Sequence, residues 1–224
     1  MKLFVDKRET FPPPDQTGPE GILQISDEIS VERLLESYSF GIFPWPTEGY
    51  PVLWFSPEER GVIDFETFHV PASLRKWMRR AAPTFTWDKC FKDVISECEK
   101  QPRPGQTGTW ISPLLKRAYI EFHKAGYAHS LECWIGDKLV GGMYGVYVGG
   151  TFCGESMFFH EPNASKACLV RLVEFLGAHG LTWFDTQMIT PTIEHMGGRL
   201  ISREAFQLRL KQSRAAAREI EFNF

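Results

Sequence analysis

Three polar side chains that interrupt apolar segments in the second half of the chain are the first candidates for chemistry. Glu155 follows a glycine near the end of a predicted strand, and Asp185 and Gln187 stand two residues apart in the run 181–187. Because strand side chains alternate between faces, the last two project from the same face. A buried carboxylate or amide costs free energy unless it has a partner. The spacing therefore predicts an acid–amide pair beside a carboxylate, with a purely structural Asp185, bonded to backbone donors, as the alternative.

A predicted three-stranded antiparallel meander over residues 129–157 positions the first of these side chains. Gly149 and Gly150 supply the positive φ angles that a tight hairpin turn needs, and Gly136-Asp137 marks the other turn. Asn163 is the expected N-cap of a helix over 164–178. The strand that carries Asp185 and Gln187 follows that helix.

This order of elements predicts the architecture. Meander, helix, strand and helix with mixed strand directions is the layout of GNAT-like acyltransferases. The fold class is then α/β of the α+β kind, with a mixed, mainly antiparallel sheet. We expect a small N-terminal lobe over residues 1–60 and the acyltransferase domain over 61–224. A fold of this kind does not by itself define a substrate.

The remaining chain is predicted to form short helices and loops. Two prolines exclude a regular element over 41–46, so Trp45 is predicted on a rigid loop, and Trp110 on a second loop before a helix capped by Ser112. Two such tryptophans suggest a wall that faces a ligand; the alternative for Trp45 is packing. The other expected elements are two strands in 51–65, helices over 70–80 and 87–99, a helix over 31–38 with Ser30 as its N-cap, and a final helix with Ser202 as its N-cap.

A basic cluster on the helix over 70–80 is a candidate phosphate-binding surface. Lys76, Arg79 and Arg80 lie three and four residues apart, and therefore on one face. The net charge of the chain is -3, so contact with nucleic acid has to come from a local patch such as this one. The alternative is an ordinary solvated helix face. A weaker basic run follows over 209–218.

Composition predicts a soluble cytoplasmic protein. The chain has 224 residues and five cysteines without a C-x-x-C pair, which is typical of reduced thiols. The charged run 6–9 follows only a few apolar residues, so no signal peptide is expected, and no segment approaches the ~18 apolar residues of a membrane-spanning helix. The six histidines lack metal-like spacing.

Several short motifs resemble those of the leucyl/phenylalanyl-tRNA–protein transferases. They are F-P-W (43–45), T-W-I (109–111), A-H-S-L-E (128–132), L-V-G-G-M-Y-G-V (139–146), F-C-G-E-S-M-F (152–158), N-A-S-K (163–166) and D-x-Q (185–187). The resemblance covers about residues 38–206. Two departures are the absence of a glycine pair in 21–30 and Thr192 at the position of a usual histidine.

The resemblance implies a function and a set of site residues. Members of this family transfer leucine or phenylalanine from tRNA to the N-terminal α-amine of proteins that begin with arginine or lysine, which marks those proteins for degradation. The implied catalytic residues are Asp185, Gln187 and Glu155. The implied aminoacyl pocket is formed by Met143, Phe152, Leu169, Leu172, Leu176 and Phe184. Trp45 and Trp110 would hold the 3′ end of the tRNA, and Lys76, Arg79 and Arg80 its backbone.

The chemistry of such a transfer requires little beyond positioning. An aminoacyl ester is already activated, so we expect no cofactor and no metal. Separately, we expect the protein to be a monomer. Two alternatives remain open. An acyl-CoA N-acyltransferase requires a glycine-rich loop after the meander, where residues 157–163 have no glycine. A non-catalytic tRNA- or peptide-binding module would have no need of the acid–amide pair.

Overall fold

The computed structural model describes residues 11–18, 20–45, 51–102 and 109–224. Within them the α-helices are α1 (Val31–Ser39), α2 (Ala72–Ala81), α3 (Phe91–Lys100), α4 (Pro113–Lys124), α5 (Ala164–Ala178), α6 (Pro191–His195) and α7 (Arg203–Ala215). The strands are β1 (Ile22–Ser26), β2 (Phe43–Trp45), β3 (Val52–Phe55), β4 (Glu59–Asp64), β5 (Thr84–Trp87), β6 (Ala128–Ile135), β7 (Lys138–Val148), β8 (Thr151–Phe159), β9 (Trp183–Gln187) and β10 (Gly198–Ser202). None of the helices in these ranges is both long and apolar enough to cross a membrane.

Seven strands form the large sheet, in the order β10-β4-β9-β8-β7-β6-β5. Neighbouring strands are antiparallel except for β8 and β9, which are parallel and joined through α5. The mixed, mainly antiparallel sheet and the predicted meander of β6, β7 and β8 are confirmed. Gly149 and Gly150 have φ angles of 58° and 77°, as the tight turn between β7 and β8 requires.

A second sheet of three strands, in the order β1-β3-β2, forms from the N-terminal part of the chain. The prediction that residues 41–46 are irregular was wrong for Phe43–Trp45, which pair with β3 as strand β2. Proline cannot donate to a strand ladder, but β2 is an edge strand, where Pro44 needs no partner on its open side. Residue 46 lies outside the described residues.

The predicted helix over 87–99 begins later than expected. Trp87 belongs to β5, opposite Leu131 of β6, and α3 starts at Phe91. Asp88 has a φ of 55°, which ends the strand in a turn that no helix can contain. The strand pairing is a long-range contact that overrides local helical periodicity. Strand β10 was likewise not expected.

Most helix caps follow the sequence. The hydroxyls of Ser30, Ser112 and Ser202 each accept the backbone N–H of the third helical residue, as predicted. Asn163 occupies the N-cap position of α5, but its side chain makes no capping hydrogen bond. Its φ of 80° is left-handed, so its role here is to turn the chain from β8 into α5.

The large sheet separates two apolar layers. Tyr144 and Val146 of β7 pack with α1, α3 and α4 on one side, whereas Val140 and Met143 pack with α5 on the other. Side chains along β7 point to both faces of the sheet, and helices cover both faces, so this one strand contributes to both layers. The carboxyl ends of β8 and β9 emerge between these layers, and there the candidate site is found.

Candidate active site

The neighbouring strands β8 and β9 are each distorted just beyond their paired residues, Cys153 and Asp185. Against β7, Gly154 and Ser156 face consecutive residues, so Glu155 is an extra residue in β8. Against β4, Asp185 and Gln187 face consecutive residues, so Thr186 is an extra residue in β9. Bulges of this kind redirect side chains and end regular pairing, and they are frequent beside active sites.

A cavity of about 470 Å³ opens at these bulges. Its aromatic and apolar lining includes Trp45, Trp110, Met143, Met157, Phe159, Leu169, Phe184, Met188 and Ile193, and its polar lining includes Gln101, Glu155, Ser156, Ser165, Thr186, Gln187, Thr190 and Thr192. An apolar pocket with a few convergent polar groups is the usual form of a small-ligand site. The polar members Ser165, Thr190 and Thr192 were not anticipated from the sequence.

The two predicted tryptophans come together at this cavity. The rings of Trp45 and Trp110 are stacked, with centroids 5.5 Å apart and planes 9° from parallel. Trp45 is carried by β2 of the small sheet, and Trp110 lies two residues before Ser112, the N-cap of α4. Residues separated by more than sixty positions therefore form one aromatic surface on the cavity.

The predicted aminoacyl pocket divides into two groups. Met143, Leu169 and Phe184 line the cavity. Phe152, Leu172 and Leu176 do not line it; they are buried in the same apolar cluster, between the sheet and α5. Because they pack in one cluster with the lining residues, the second group supports the floor of the cavity.

Asp185 is fully buried and forms an ion pair with Arg60. Nε of Arg60 donates to Oδ1 at 2.9 Å, and Nη2 donates to Oδ2 at 2.6 Å. The guanidinium lies between the rings of Phe43 and Phe206, 4.5 and 4.6 Å from their centroids. Its Nη1 donates to the carbonyl oxygen of Gly41. A bidentate arginine with further partners is the arrangement that makes a buried charge pair tolerable.

The carboxylate of Asp185 also controls the backbone of the residue two positions later. Oδ1 accepts the N–H of Gln187 at 2.8 Å, which is the hydrogen bond of an Asx turn. Gln187 has a φ of 59°, in the left-handed region that costs a non-glycine residue of order 1–3 kcal/mol. The turn and the bulge send Gln187 into the cavity, whereas Asp185 faces Arg60 and does not line the cavity.

Glu155 is the acceptor of three hydrogen bonds. Nε2 of Gln187 donates to Oε1 at 2.6 Å, Tyr38 donates to Oε1 at 2.7 Å, and Tyr119 donates to Oε2 at 3.0 Å. The hydroxyls of Tyr38 and Tyr119 also contact each other. Burial raises the pKa of both tyrosines well above the usual value, so they remain protonated donors.

The titration of Glu155 is shifted toward neutrality. Burial raises the pKa of this carboxyl from 4.5 to about 7, although the hydrogen bonds from Tyr38, Gln187 and Tyr119 oppose the shift and the charge of Asp185 adds to it. A carboxyl with a pKa near the working pH can accept and return a proton. The cavity therefore combines an apolar floor, a group that exchanges protons near neutral pH, and an amide held against it.

Sequence analysis did not identify Arg60, Tyr38 and Tyr119 as parts of this site. Tyr38 lies in the predicted helix over 31–38, and Arg60 is a cation near the start of an apolar strand. A cation in such a strand signals a buried partner, because an unpaired charge there would be costly. The identity of the partner depended on pairing between β4 and β9.

The predicted basic cluster lies on the exposed face of α2. Lys76, Arg79 and Arg80 are exposed there, while Leu74 is buried against the sheet. Helix α2 ends shortly before β5, whose first residue, Thr84, pairs near the end of β6. Because β6 pairs with β7 and β7 pairs with β8, Thr84 lies at the same end of the sheet as the last residues of β8. Helix α2 therefore ends at the same end of the sheet as Phe159 of β8, one of the residues that line the cavity.

The raised pKa of Glu155 makes folding stability depend on pH. The folded pKa of about 7 exceeds the unfolded value of 4.5, so the folded state holds the proton more tightly. The stabilisation that the protonated Glu155 gives to the folded state is fully present below the unfolded pKa and is lost as pH rises through 7. Between pH 5 and pH 8, wild type should lose about 2–3 kcal/mol of unfolding free energy relative to Glu155→Gln. Urea denaturation of both proteins at the two pH values measures the difference, and a difference that is independent of pH would contradict the shift.

Comparison with known proteins identifies the family. The model described as "Leucyl/phenylalanyl-tRNA protein transferase" matches residues 62–211, and that of its N-terminal domain matches residues 27–58. A relative from Anaeromyxobacter sp. (strain Fw109-5), named leucyl/phenylalanyl-tRNA–protein transferase, is 46% identical over 94% of this chain and 90% of its own. One of the same name from Myxococcus xanthus (strain DK1622) is 43% identical over 88% of this chain and 85% of its own.

Solved structures show weaker similarity. FemX aligns with a TM-score of 0.45 and 10% identity over 80% of this chain and 71% of its own. L-PGS from Bacillus licheniformis aligns with a TM-score of 0.42 and 17% identity over 75% of this chain and 55% of its own. On the family models and the curated relatives, this chain belongs to the leucyl/phenylalanyl-tRNA–protein transferase family.

Proposed function

We propose that this protein transfers leucine or phenylalanine from its tRNA to the N-terminal α-amine of proteins that begin with arginine or lysine, which marks them for degradation. The observation that carries the proposal is the cavity, where an apolar floor ends at the Gln187–Glu155 pair. The names of the related proteins supply the donor, an aminoacyl-tRNA, and the acceptor, a protein.

The donor fits the apolar part of the cavity. The surface formed by Met143, Leu169 and Phe184 suits an apolar side chain that is unbranched at Cβ. The residues packed beneath this surface are Phe152, Leu172 and Leu176. Trp45 and Trp110 offer flat faces on which the terminal adenine of the tRNA can stack, an interaction that aromatic side chains commonly provide to nucleic-acid bases. Lys76, Arg79 and Arg80 would contact phosphates farther along the tRNA.

The acceptor amine meets the polar end of the cavity. A protein α-amine has a pKa near ~8 and is largely protonated at neutral pH. Glu155 pairs with the cationic acceptor and takes one proton from its ammonium group; a carboxyl with a pKa of about 7 suits that exchange. Gln187 hydrogen-bonds the amine and directs its lone pair to the ester carbonyl. Asp185, which does not reach the cavity, acts as a positioning residue for Gln187.

The transfer step conserves atoms and charge without a further reactant. The amine nitrogen forms a bond to the ester carbonyl carbon, and the bond from that carbon to the ribose oxygen of the tRNA breaks. The nitrogen gives up a second proton as the ribose oxygen gains one. Because the ester is already activated, orientation of amine and ester supplies much of the acceleration. We further propose that the enzyme acts as a cytoplasmic monomer, in keeping with its cysteine usage.

The direct test is transfer of radiolabelled amino acids from tRNA to peptides that begin with arginine. We expect leucine to be transferred best, while isoleucine and valine are used at least about tenfold less efficiently, because their branched Cβ crowds a packed pocket. A peptide that begins with glutamate is the matched acceptor control. Equal use of leucyl- and seryl-tRNA, or of the two peptides, would overturn the proposed specificity.

Substitution at the polar end of the cavity should lower turnover and leave tRNA binding nearly unchanged. We expect Asp185→Ala and Gln187→Ala each to reduce single-turnover transfer by about 10²–10⁴-fold. If the two residues act as one unit, the double variant should be scarcely slower than the poorer single variant. Glu155→Gln keeps the shape but removes the charge, and should mainly weaken use of the cationic peptide. Near-normal transfer by Asp185→Ala would show that its carboxylate is dispensable.

The basic helix should govern affinity for tRNA and leave the chemical step unchanged. Replacing Lys76, Arg79 and Arg80 by alanine should raise the KM for charged tRNA and reduce its salt dependence, by roughly one unit of slope for each phosphate that the protein no longer neutralises. The matched comparison replaces three exposed cations of the C-terminal part, Lys211, Arg214 and Arg218. If only the second variant changes the salt slope, the tRNA surface lies on α7 and the residues after it.

A further inference from the structure

We propose that Arg60 is a positioning residue of the transfer reaction, which acts on Gln187 through the Asp185 carboxylate. The inference rests on the proposed function, because it assigns a role within the same site. Arg60 is 1% exposed and does not line the cavity, so it cannot touch a substrate there. Any effect that it has on the reaction must pass through the groups that it contacts.

The first step is the orientation of the carboxylate. The Arg60 fork donates to both oxygens of Asp185, at 2.9 and 2.6 Å. Two parallel hydrogen bonds fix the plane of a carboxylate, whereas a single bond lets it rotate. The guanidinium itself is held at three points, by the carbonyl of Gly41 and the rings of Phe43 and Phe206. Through the guanidinium, Gly41, Phe43 of β2 and Phe206 of α7 therefore help to orient the Asp185 carboxylate.

The second step is the backbone of Gln187. Oδ1 of Asp185, the oxygen that accepts from Nε of Arg60, also accepts the N–H of Gln187. This bond holds Gln187 at a φ of 59°, a conformation that a non-glycine residue leaves readily when its constraint is removed. Rotation of the carboxylate would release the turn.

The third step is the amide in the cavity. From the left-handed position, Nε2 of Gln187 reaches Oε1 of Glu155 at 2.6 Å. A change of backbone conformation at Gln187 moves this amide away from Glu155 and from the place of the acceptor amine. Displacement of a positioned group by about 1 Å can lower a rate by about 10²-fold. A continuous series of hydrogen bonds thus links four residues from three strands: Arg60, Asp185, Gln187 and Glu155.

The test measures kcat and KM for charged tRNA and for an Arg-starting peptide in Arg60→Met and Arg60→Lys. Methionine keeps much of the length of the side chain but removes the charge. Lysine keeps the charge but cannot donate two parallel hydrogen bonds to the carboxylate. We expect kcat to fall about 10²-fold in Arg60→Met and at least about tenfold in Arg60→Lys, with both KM values within about twofold of wild type. The matched control is Arg203→Met, since Arg203 anchors the backbone carbonyls of Ser56 and Pro57 and has no link to Gln187. Its kcat should stay within about threefold.

A double-variant cycle separates positioning from general destabilisation. In a Gln187→Ala background, Arg60→Met should lower the single-turnover rate by less than about threefold further, because the group it positions is already gone. An equal loss in both backgrounds, or a raised KM with unchanged kcat, would overturn the inference. If Arg60→Met does not fold, as judged by circular dichroism and Tm, the same cycle is run with Arg60→Lys. Full activity of Gln187→Ala would instead refute the proposed site itself.

Discussion

The buried ion pair between Arg60 and Asp185 is the interaction on which the geometry of the site depends. Removing both charges from water carries a large desolvation penalty, which the bidentate geometry, the carbonyl of Gly41 and two aromatic faces offset. Loss of one partner would leave an uncompensated buried charge, a change that typically costs about 3–5 kcal/mol. The pair also joins distant parts of the chain, because Arg60 lies in β4, Asp185 lies in β9, and the flanking rings come from β2 and α7. A single interaction therefore couples the small sheet, the large sheet and the last helix to the cavity.

The cavity itself results from two irregularities placed side by side. Glu155 and Thr186 are bulged residues of neighbouring strands, and the left-handed turn at Gln187 ends β9. Regular strands would have continued to pair at this point and closed the gap. The bulges instead turn a carboxylate and an amide toward each other at the edge of an apolar floor. Burial at this position raises the pKa of Glu155, and under the proposed function the acceptor amine lies between this proton acceptor and the ester.

Local features of the chain were predicted well, and long-range pairing was not. The meander, the glycine turn and the serine caps depend on periodicity and on residues a few positions apart, and the structure confirms them. Strand β5 was not predicted, and its last residue, Trp87, was assigned to a helix, because the partner of β5 is β6, more than forty residues away. The residues of the site show the same difference between local motifs and long-range contacts. The acid–amide pair and the tryptophans were recognisable as motifs, whereas Arg60, Tyr38 and Tyr119 became visible only when the fold brought them to Asp185 and Glu155.

The central claim is that the cavity holds the aminoacyl end of the donor with its ester beside Gln187 and Glu155. A crystal structure with 3′-leucylamino-3′-deoxyadenosine, in which a stable amide replaces the ester, tests this most directly. We expect the leucyl side chain against Met143, Leu169 and Phe184, the adenine on Trp45 or Trp110, and the carbonyl carbon within about 4 Å of the Gln187 amide. An analogue bound elsewhere, or bound with its carbonyl turned away from Gln187 and Glu155, would contradict it.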